Sequence, residues 1–303
     1  WQTRGMTERI VLAGASGLIG RALEAGLQAR GAEVHHLVRR DARTQNEHRW
    51  NPERGELDPS LLAGADALIS LNGASVGHLP WTKSYRRLLR ESRIDATRTL
   101  ATAVSALGSE APAAWLSASA VGFYGDRPGE VLTEASTAGD TFLARLCVDW
   151  EAEALVAAAH TRVVLLRTAP VVHPEGVLKP MIALTKLGLG GPLGGGKQIW
   201  PWISLTDEVR GILHALDRGL SGPINLTGPT VASANDVGRE LAAQLHRPFL
   251  MPAPRFALGL ALGRDATESL LTSDAVVRPE ALLGSGFEFE HPTPADAIRA
   301  SLG

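Results

Sequence analysis

The chain has 303 residues, 45% of them hydrophobic and 20% charged. At about 150 residues per domain this predicts two domains, or one large α/β unit with an appendage. Thirty basic residues against 32 acidic ones give a net charge of -2, so no global basic field exists to hold nucleic acid or an anionic membrane, and any anion must be bound locally.

The single cysteine, Cys147, excludes an intrachain disulfide framework and any cysteine-rich metal site. With no apolar leader and no run of about 18 apolar residues, a cytoplasmic location is expected, with neither membrane nor nucleic acid as partner. Met6 stands directly before the first apolar segment, so Trp1 to Gly5 are expected to be an added or overlong start without function.

In chain order, the apolar run Ile10 to Ala13 predicts a strand, the glycine cluster after it a turn, and Arg21 to Arg30 a helix that Gly31 stops. Val34 to Val38 and Ala67 to Leu71 follow as strands. Ser84 to Leu107 is helical, with Leu89, Ala96, Leu100, Ala103, Val104 and Leu107 on its apolar face. Ala114 to Ser117 returns to strand, and Gly, Pro and Thr mark Val121 to Asp140 as a loop. Thr141 to Ala159 is helical, and Arg162 to Arg167 is an apolar-centred strand. Strands alternating with helices imply an α/β fold with a doubly wound parallel sheet.

Past Thr168 the rhythm changes. Gly188 to Lys197 holds six glycines and a proline, which predicts a mobile loop and a candidate lid. The later elements are short helices: Asp207 to Arg218, a Ser233-capped helix through His246, Arg255 to Leu262, and Ala295 to Leu302. They place a second, smaller lobe on the substrate side at residues 169–303, sharing some strands with the first.

Gly14, Gly17 and Gly20 stand three apart between the first strand and the first helix, where backbone amides at a helix N-terminus can approach a pyrophosphate. The pattern alone is weak, but strand, helix and next strand fall where a Rossmann βαβ unit needs them. Residues 1–168 are therefore expected to bind a dinucleotide, with Gly14, Ser16, Gly17, Leu18 and Ile19 in contact. The second strand ends in Arg39-Arg40 rather than in the acidic residue that binds a ribose 2′-hydroxyl, which points to a 2′-phosphate and hence NADP. The competing reading is a solvated basic strand end, with Asp41 neutralising one arginine.

Several segments together resemble an extended short-chain dehydrogenase/reductase. They include Leu71-Asn72-Gly73-Ala74, Trp81-Thr82, Glu91-Ser92-Arg93 with Thr97, Ser117 to Gly125, Trp150-Glu151, Leu166-Arg167-Thr168, Gly190 to Gly194, Trp202-Ile203 with Asp207, and Arg278-Pro279 through Gly286 to Phe289. Covering nearly the whole chain from Ile10, they narrow the resemblance to an atypical, epimerase-like, NADP-binding branch whose members carry names such as sugar-nucleotide epimerase or cell-division inhibitor. Ala169 and Ser204 stand where relatives usually carry glycine and histidine.

The resemblance implies cofactor contacts at Leu71, Asn72, Gly73 and Pro170, and an active-site serine at Ser119. It does not supply the tyrosine and lysine, four residues apart, that serve hydride transfer in this superfamily. Four residues after Tyr85 is Leu89, four after Tyr124 is Pro128, and the matching helix positions hold Cys147 and Glu151. Ser119, Tyr124 and Glu151 remain as catalytic candidates, each with a structural alternative: local backbone satisfaction, loop shaping, or a solvated or arginine-paired carboxylate. Cys147 reads as a small buried hydrophobe.

Trp81, Arg93, Lys179, Gln198 and Trp202 are the candidate substrate contacts, since aromatic faces and cations suit a flat or phosphorylated ligand; burial in the core is the other reading of the tryptophans. The expected function is that of an NADP-binding, epimerase-like oxidoreductase acting on a small molecule, the alternative being a non-catalytic NADP-binding sensor. No metal is expected: among nine histidines only His35-His36 lie close, on opposite faces of a strand. A remote alternative is a serine hydrolase. Gly73-Ala74-Ser75-Val76-Gly77 matches a nucleophile elbow with Asp207 and His214 or His246 following in order, but Pro80 interrupts the helix such an elbow must enter.

Overall fold

The computed structural model describes residues 7–303; Trp1 to Gly5, expected to be an added or overlong start, lie outside the described residues. The strands are β1 (Arg9–Ala13), β2 (Glu33–Val38), β3 (Glu47–Arg49), β4 (Ala67–Ser70), β5 (Ala114–Ala120), β6 (Val131–Leu132), β7 (Arg162–Thr168), β8 (Val171–Val172), β9 (Ile203–Ser204), β10 (Gly222–Leu226) and β11 (Val276–Val277). Seven of them form one parallel sheet in the order β10-β7-β5-β4-β1-β2-β3, and β11-β6 and β8-β9 make two small sheets. The helices are α1 (Leu18–Ala29), α2 (Lys83–Leu107), α3 (Phe142–Leu155), α4 (Leu178–Lys186), α5 (Leu205–Asp217), α6 (Ala234–Gln244), α7 (Arg255–Leu262), α8 (Arg264–Ala266), α9 (Glu280–Gly284) and α10 (Pro294–Leu302).

The central strands are apolar throughout because both sheet faces are covered. Ile10 and Leu12 of β1 pack with Leu23 and Leu27 of α1 and with Val209 and Ile212 of α5. Their neighbours Val11 and Ala13 point the other way, toward Leu100 and Val104 of α2. In register, Ala13 lies opposite Ser70, Ser70 opposite Ser117, and Ser119 opposite Arg167. The carboxyl ends of β1, β4, β5 and β7 thus form one edge, where open α/β sheets bind ligands.

Several elements of the structure have no counterpart in the sequence reading, among them β3, α4 and β10. β3 is Glu-His-Arg, with no apolar residue, and exists through its pairing with β2. α4 spans a proline, Pro180. β10 opens on Gly-Pro and flanks β7, so the main sheet is completed by residues well beyond Thr168. Val172, Leu178, Trp202, Val237, Leu241 and Ile298 form a buried cluster separate from those that flank the main sheet.

The glycine-rich stretch at 188–197 is tied down by backbone hydrogen bonds. Leu250 and Met251 donate to the Gly190 carbonyl, Gly194 donates to Ala253, and Asn235 donates to Gly196. A Cβ at Gly191 would collide with the Met251 carbonyl. These glycines let two backbones approach closely, and the lid reading gains no support from their geometry.

Candidate functional site

Each glycine of the first turn has its own reason. Gly14 has φ +93 and a Cβ there would stand 2.8 Å from the Leu71 carbonyl carbon, while a Cβ at Gly20 would collide with the Gly14 carbonyl; these two set the turn and the helix–strand packing. Gly17 is different: its φ is -75, and a Cβ would meet only the Gly14 oxygen, at 3.4 Å. Nothing in the protein demands a glycine there.

α1 starts at Gly17 with no side-chain cap and no acidic residue in its first turn. Its first amides and the positive end of its dipole are left for something outside the chain. Ser16 is exposed beside this opening, while Leu18 and Ile19 are half-buried on the core. At the end of β4, Leu71 donates to Ala13, and the buried Oδ1 of Asn72 has no hydrogen-bond partner. An uncapped helix mouth, a dispensable glycine and an orphan acceptor on one edge fit a dinucleotide.

At the end of β2, Arg40 forks onto Glu47 of β3 and also donates to the Asp41 carbonyl. Arg40 and the Arg43 amide hold the Glu47 carboxyl down at about 2. Asp41 pairs with Arg49 rather than with its neighbours. Arg39 is exposed and makes no hydrogen bond or ion pair among the described residues.

The centre of the edge is a closed network. Glu151, 6% exposed on α3, accepts from Ser119 Oγ at 2.6 Å and from Arg167 Nε and Nη2 at 2.8 and 2.9 Å. Arg167 Nη1 donates to the Tyr124 hydroxyl at 2.9 Å, and that hydroxyl donates to Asn225 Oδ1 at 2.7 Å. The guanidinium also lies 3.5 Å over the Phe123 ring. Burial pushes the Tyr124 phenol up, with Arg167 pulling against it. Tyr124 is 0% exposed, so its phenol does not open onto a cleft.

Cys147 is buried, and burial reinforced by Glu151 pushes its thiol up to about 12, as suits a packing residue. Arg167 stands in the sequence only within a segment of family resemblance and without a site role, although an arginine inside an otherwise apolar strand signals a buried acidic partner. Glu208 was also missed. It is 0% exposed at the start of α5, accepts from Thr168 Oγ1 at 2.7 Å, and its Oε2 has no partner. Burial pushes its carboxyl up to about 8.

The residues expected to touch substrate separate. Trp81 donates to the Val76 carbonyl and packs edge-on against Phe142. Trp202 donates to Thr230 and lies where a Cβ on Gly228 would be. Gln198 clamps the Leu193 and Leu271 carbonyls. These three are buried structural members, because each polar tip finds a backbone carbonyl. Lys179 is exposed on α4 and Pro170 exposed after β7. Arg93 is half-buried against Gly73.

The hydrolase arrangement does not form. Ser75 Oγ accepts from the Gly77 amide, Asp207 is held by Ser204, and His214 meets Ser285. As Pro80 implied, the segment runs on as loop until Thr82 caps α2. Among the described residues no cluster of metal-ligating side chains occurs, and no helix is long and apolar enough to cross a membrane.

The model of the NAD dependent epimerase/dehydratase family matches residues 10–226. The chain belongs to that family. A domain of unknown function, DUF1731, matches residues 253–301. An epimerase family protein of Mycobacterium leprae is 41% identical over 292 residues, covering 95% of this chain and 94% of its own. The human epimerase family protein SDR39U1 is 30% identical over 296 residues, covering 96% and 98%. The crystal structure of human SDR39U1, isoform 2, with NADPH superposes with a TM-score of 0.88 at 29% identity, over 96% of this chain and 98% of that one. A nucleoside-diphosphate sugar epimerase from Corynebacterium glutamicum gives a TM-score of 0.80 at 34% identity, over 98% of this chain and 59% of that one. The expected fold and epimerase-like branch of the short-chain dehydrogenase/reductases are thereby met.

Proposed function

We propose that this family member binds NADP(H) along the edge formed by β1, β2 and β4 and acts as an epimerase-like oxidoreductase on a small molecule. The observation that carries the reading is the uncapped mouth of α1 at Gly17, whose geometry suits a pyrophosphate. The cofactor set is Gly14, Ser16, Gly17, Leu18, Ile19, Leu71, Asn72, Gly73 and Pro170. Arg39 takes the 2′-phosphate, because Arg40 is engaged by Glu47 and Asp41 by Arg49. The NADPH in the human relative's structure supports the phosphorylated form.

The bound nicotinamide supplies a hydride donor or acceptor. Of the protein's own groups, Ser119 is the catalytic candidate, at the carboxyl end of β5 with its buried Oγ donating to Glu151. Glu151 and Tyr124 act as positioning groups behind it. The single buried Cys147 suits a reducing, cytoplasmic setting.

A second reading, a cofactor-holding sensor without turnover, is favoured by one observation: Tyr124 is sealed against Asn225 and Arg167 and is not followed by a lysine. Calorimetry with NADPH and NADH, followed by NADPH consumption over a carbonyl panel, tests both. NADPH preference with turnover supports the oxidoreductase, NADPH binding without turnover supports the sensor, and no binding overturns the cofactor assignment.

A further inference from the structure

Arg93 projects from α2 onto the loop that leaves β4. Nη1 donates to the Leu89 carbonyl at 2.9 Å and Nη2 to the Ala74 carbonyl at 3.1 Å. Its Cζ lies 5.2 Å from the centre of the Trp150 ring. A Cβ on Gly73 would stand 2.9 Å from that Cζ, so the glycine lets the guanidinium lie flat against the backbone. A guanidinium has five N–H donors; the two carbonyls take one each, and no carboxylate is paired with it among the described residues.

Other arginines packed at the sheet are answered from within the chain. Arg167 has Glu151, and Arg162 donates to Leu216 and Leu220 at the carboxyl end of α5, where the helix dipole is negative. Arg93 has two carbonyls and the Trp150 ring, but among the described residues neither a carboxylate nor the end of a helix faces it. Burial draws its pKa down, and the acidic groups that oppose this are Cys147 and Tyr85; the Cys147 thiol is itself held neutral by its upward shift to about 12.

The site is also well placed. Gly73 and Ala74 follow β4, while Cys147 Sγ lies 3.8 Å from the Ala120 carbonyl, next to Ser119 at the end of β5. Arg93 therefore lies against the loop that leaves the carboxyl end of β4, near enough to Cys147 of α3 for that thiol to act on its charge, and it keeps part of its surface in solvent. A half-desolvated cation without a counter-ion is unfavourable, and an oxyanion arriving from outside relieves it. The unused N–H donors suffice for a bidentate contact, and a single positive charge is matched by a single negative one.

We propose that Arg93 binds a carboxylate of the substrate, so that the molecule taken beside Ser119 is a small organic acid. This rests on the substrate reading above and narrows it. The chain, saturated with NADPH so that the pyrophosphate site is filled, is treated with phenylglyoxal and its arginines mapped by mass spectrometry in the presence of oxalate, its neutral analogue oxamide, or inorganic phosphate. Oxalate is expected to slow modification of Arg93 roughly tenfold while leaving Arg39 unchanged, with oxamide without effect.

Equal labelling of Arg93 with and without oxalate, including none in either, overturns the proposal. Stronger protection by phosphate than by oxalate overturns the carboxylate assignment. R93K and R93Q are expected to lose oxalate affinity with NADPH affinity unchanged, and retention of oxalate affinity in either folded variant also counts against it. If both variants fail to fold, labelling of the wild type decides. If NADPH does not bind, the cofactor reading falls, and the same labelling without NADPH still judges Arg93.

Discussion

The two ends of the ligand-binding edge are built on opposite principles. Around Gly17, Arg39 and Asn72 the chain leaves groups unanswered: an uncapped helix, an unpaired guanidinium and an orphan carbonyl oxygen. Around Glu151, Arg167, Tyr124 and Asn225 nearly every polar atom is answered by another side chain. Unsatisfied polar groups in a folded protein mark where a partner is expected, whereas a saturated buried network mostly holds elements together. The contrast teaches that charged residues at the carboxyl edge do not make a catalytic centre by their identity alone.

Substitutions on each side test that contrast. The largest effect is expected for Glu151→Ala, which strands a buried guanidinium and should cost about 3–5 kcal/mol of stability in chemical denaturation. A stable variant that loses only turnover would instead make Glu151 catalytic. Next comes Glu208, whose buried Oε2 has no partner among the described residues. Its carboxyl sits at about 8 folded against an ordinary value near 4.3 unfolded, so between these values the folded state holds more protons. Stability should therefore fall by a few kcal/mol as pH rises from about 4.5 to 8. Glu208→Gln should flatten that slope, and an unchanged slope would rule the assignment out.

On the open side, Gly17→Val should weaken NADPH at least about 100-fold, near 3 kcal/mol, with an unchanged melting temperature, because its side chain meets little of the protein. Unchanged affinity by calorimetry would remove the central cofactor claim. Arg39→Ala should cost about 2 kcal/mol in NADPH affinity and leave NADH nearly unaffected; a larger loss from Arg40→Ala would transfer the role to Arg40. The smallest effect is expected for Tyr124→Phe, about 1 kcal/mol of stability from the acceptor left on Asn225. A 100-fold loss of turnover at full stability would reopen Tyr124 as an acid/base.

What the sequence disclosed follows from how local each cause is. The turn at Gly14–Gly20 was legible because backbone geometry imposes residue types at fixed offsets, and β1, β7 and α2 because burial imposes a period. β3 was not, since Glu47, His48 and Arg49 become a strand only by lying beside β2. The Arg167–Glu151 pair joins β7 to α3, so its saturation appears only once the elements are packed. Trp81, Gln198 and Trp202 drew attention by residue type, but their partners are backbone carbonyls that no side-chain pattern reveals. Arg40 and Arg39 are adjacent in sequence, and only the position of Glu47 distinguishes them.

The late arrival of β10 bears on synthesis. The sheet edge on β7 is covered only when Gly222–Leu226 has been made, and the face under α5 waits for Leu205–Asp217. At about 5–20 residues per second, the segment between Thr168 and Leu226 keeps that edge bare on the ribosome for several seconds. An unpaired strand edge beside uncovered apolar surface is an invitation to pair with another chain. A fragment ending at Thr168 should therefore self-associate in sedimentation, whereas one extended through Leu226 should do so less. The nascent chain would be most dependent on chaperones during that interval.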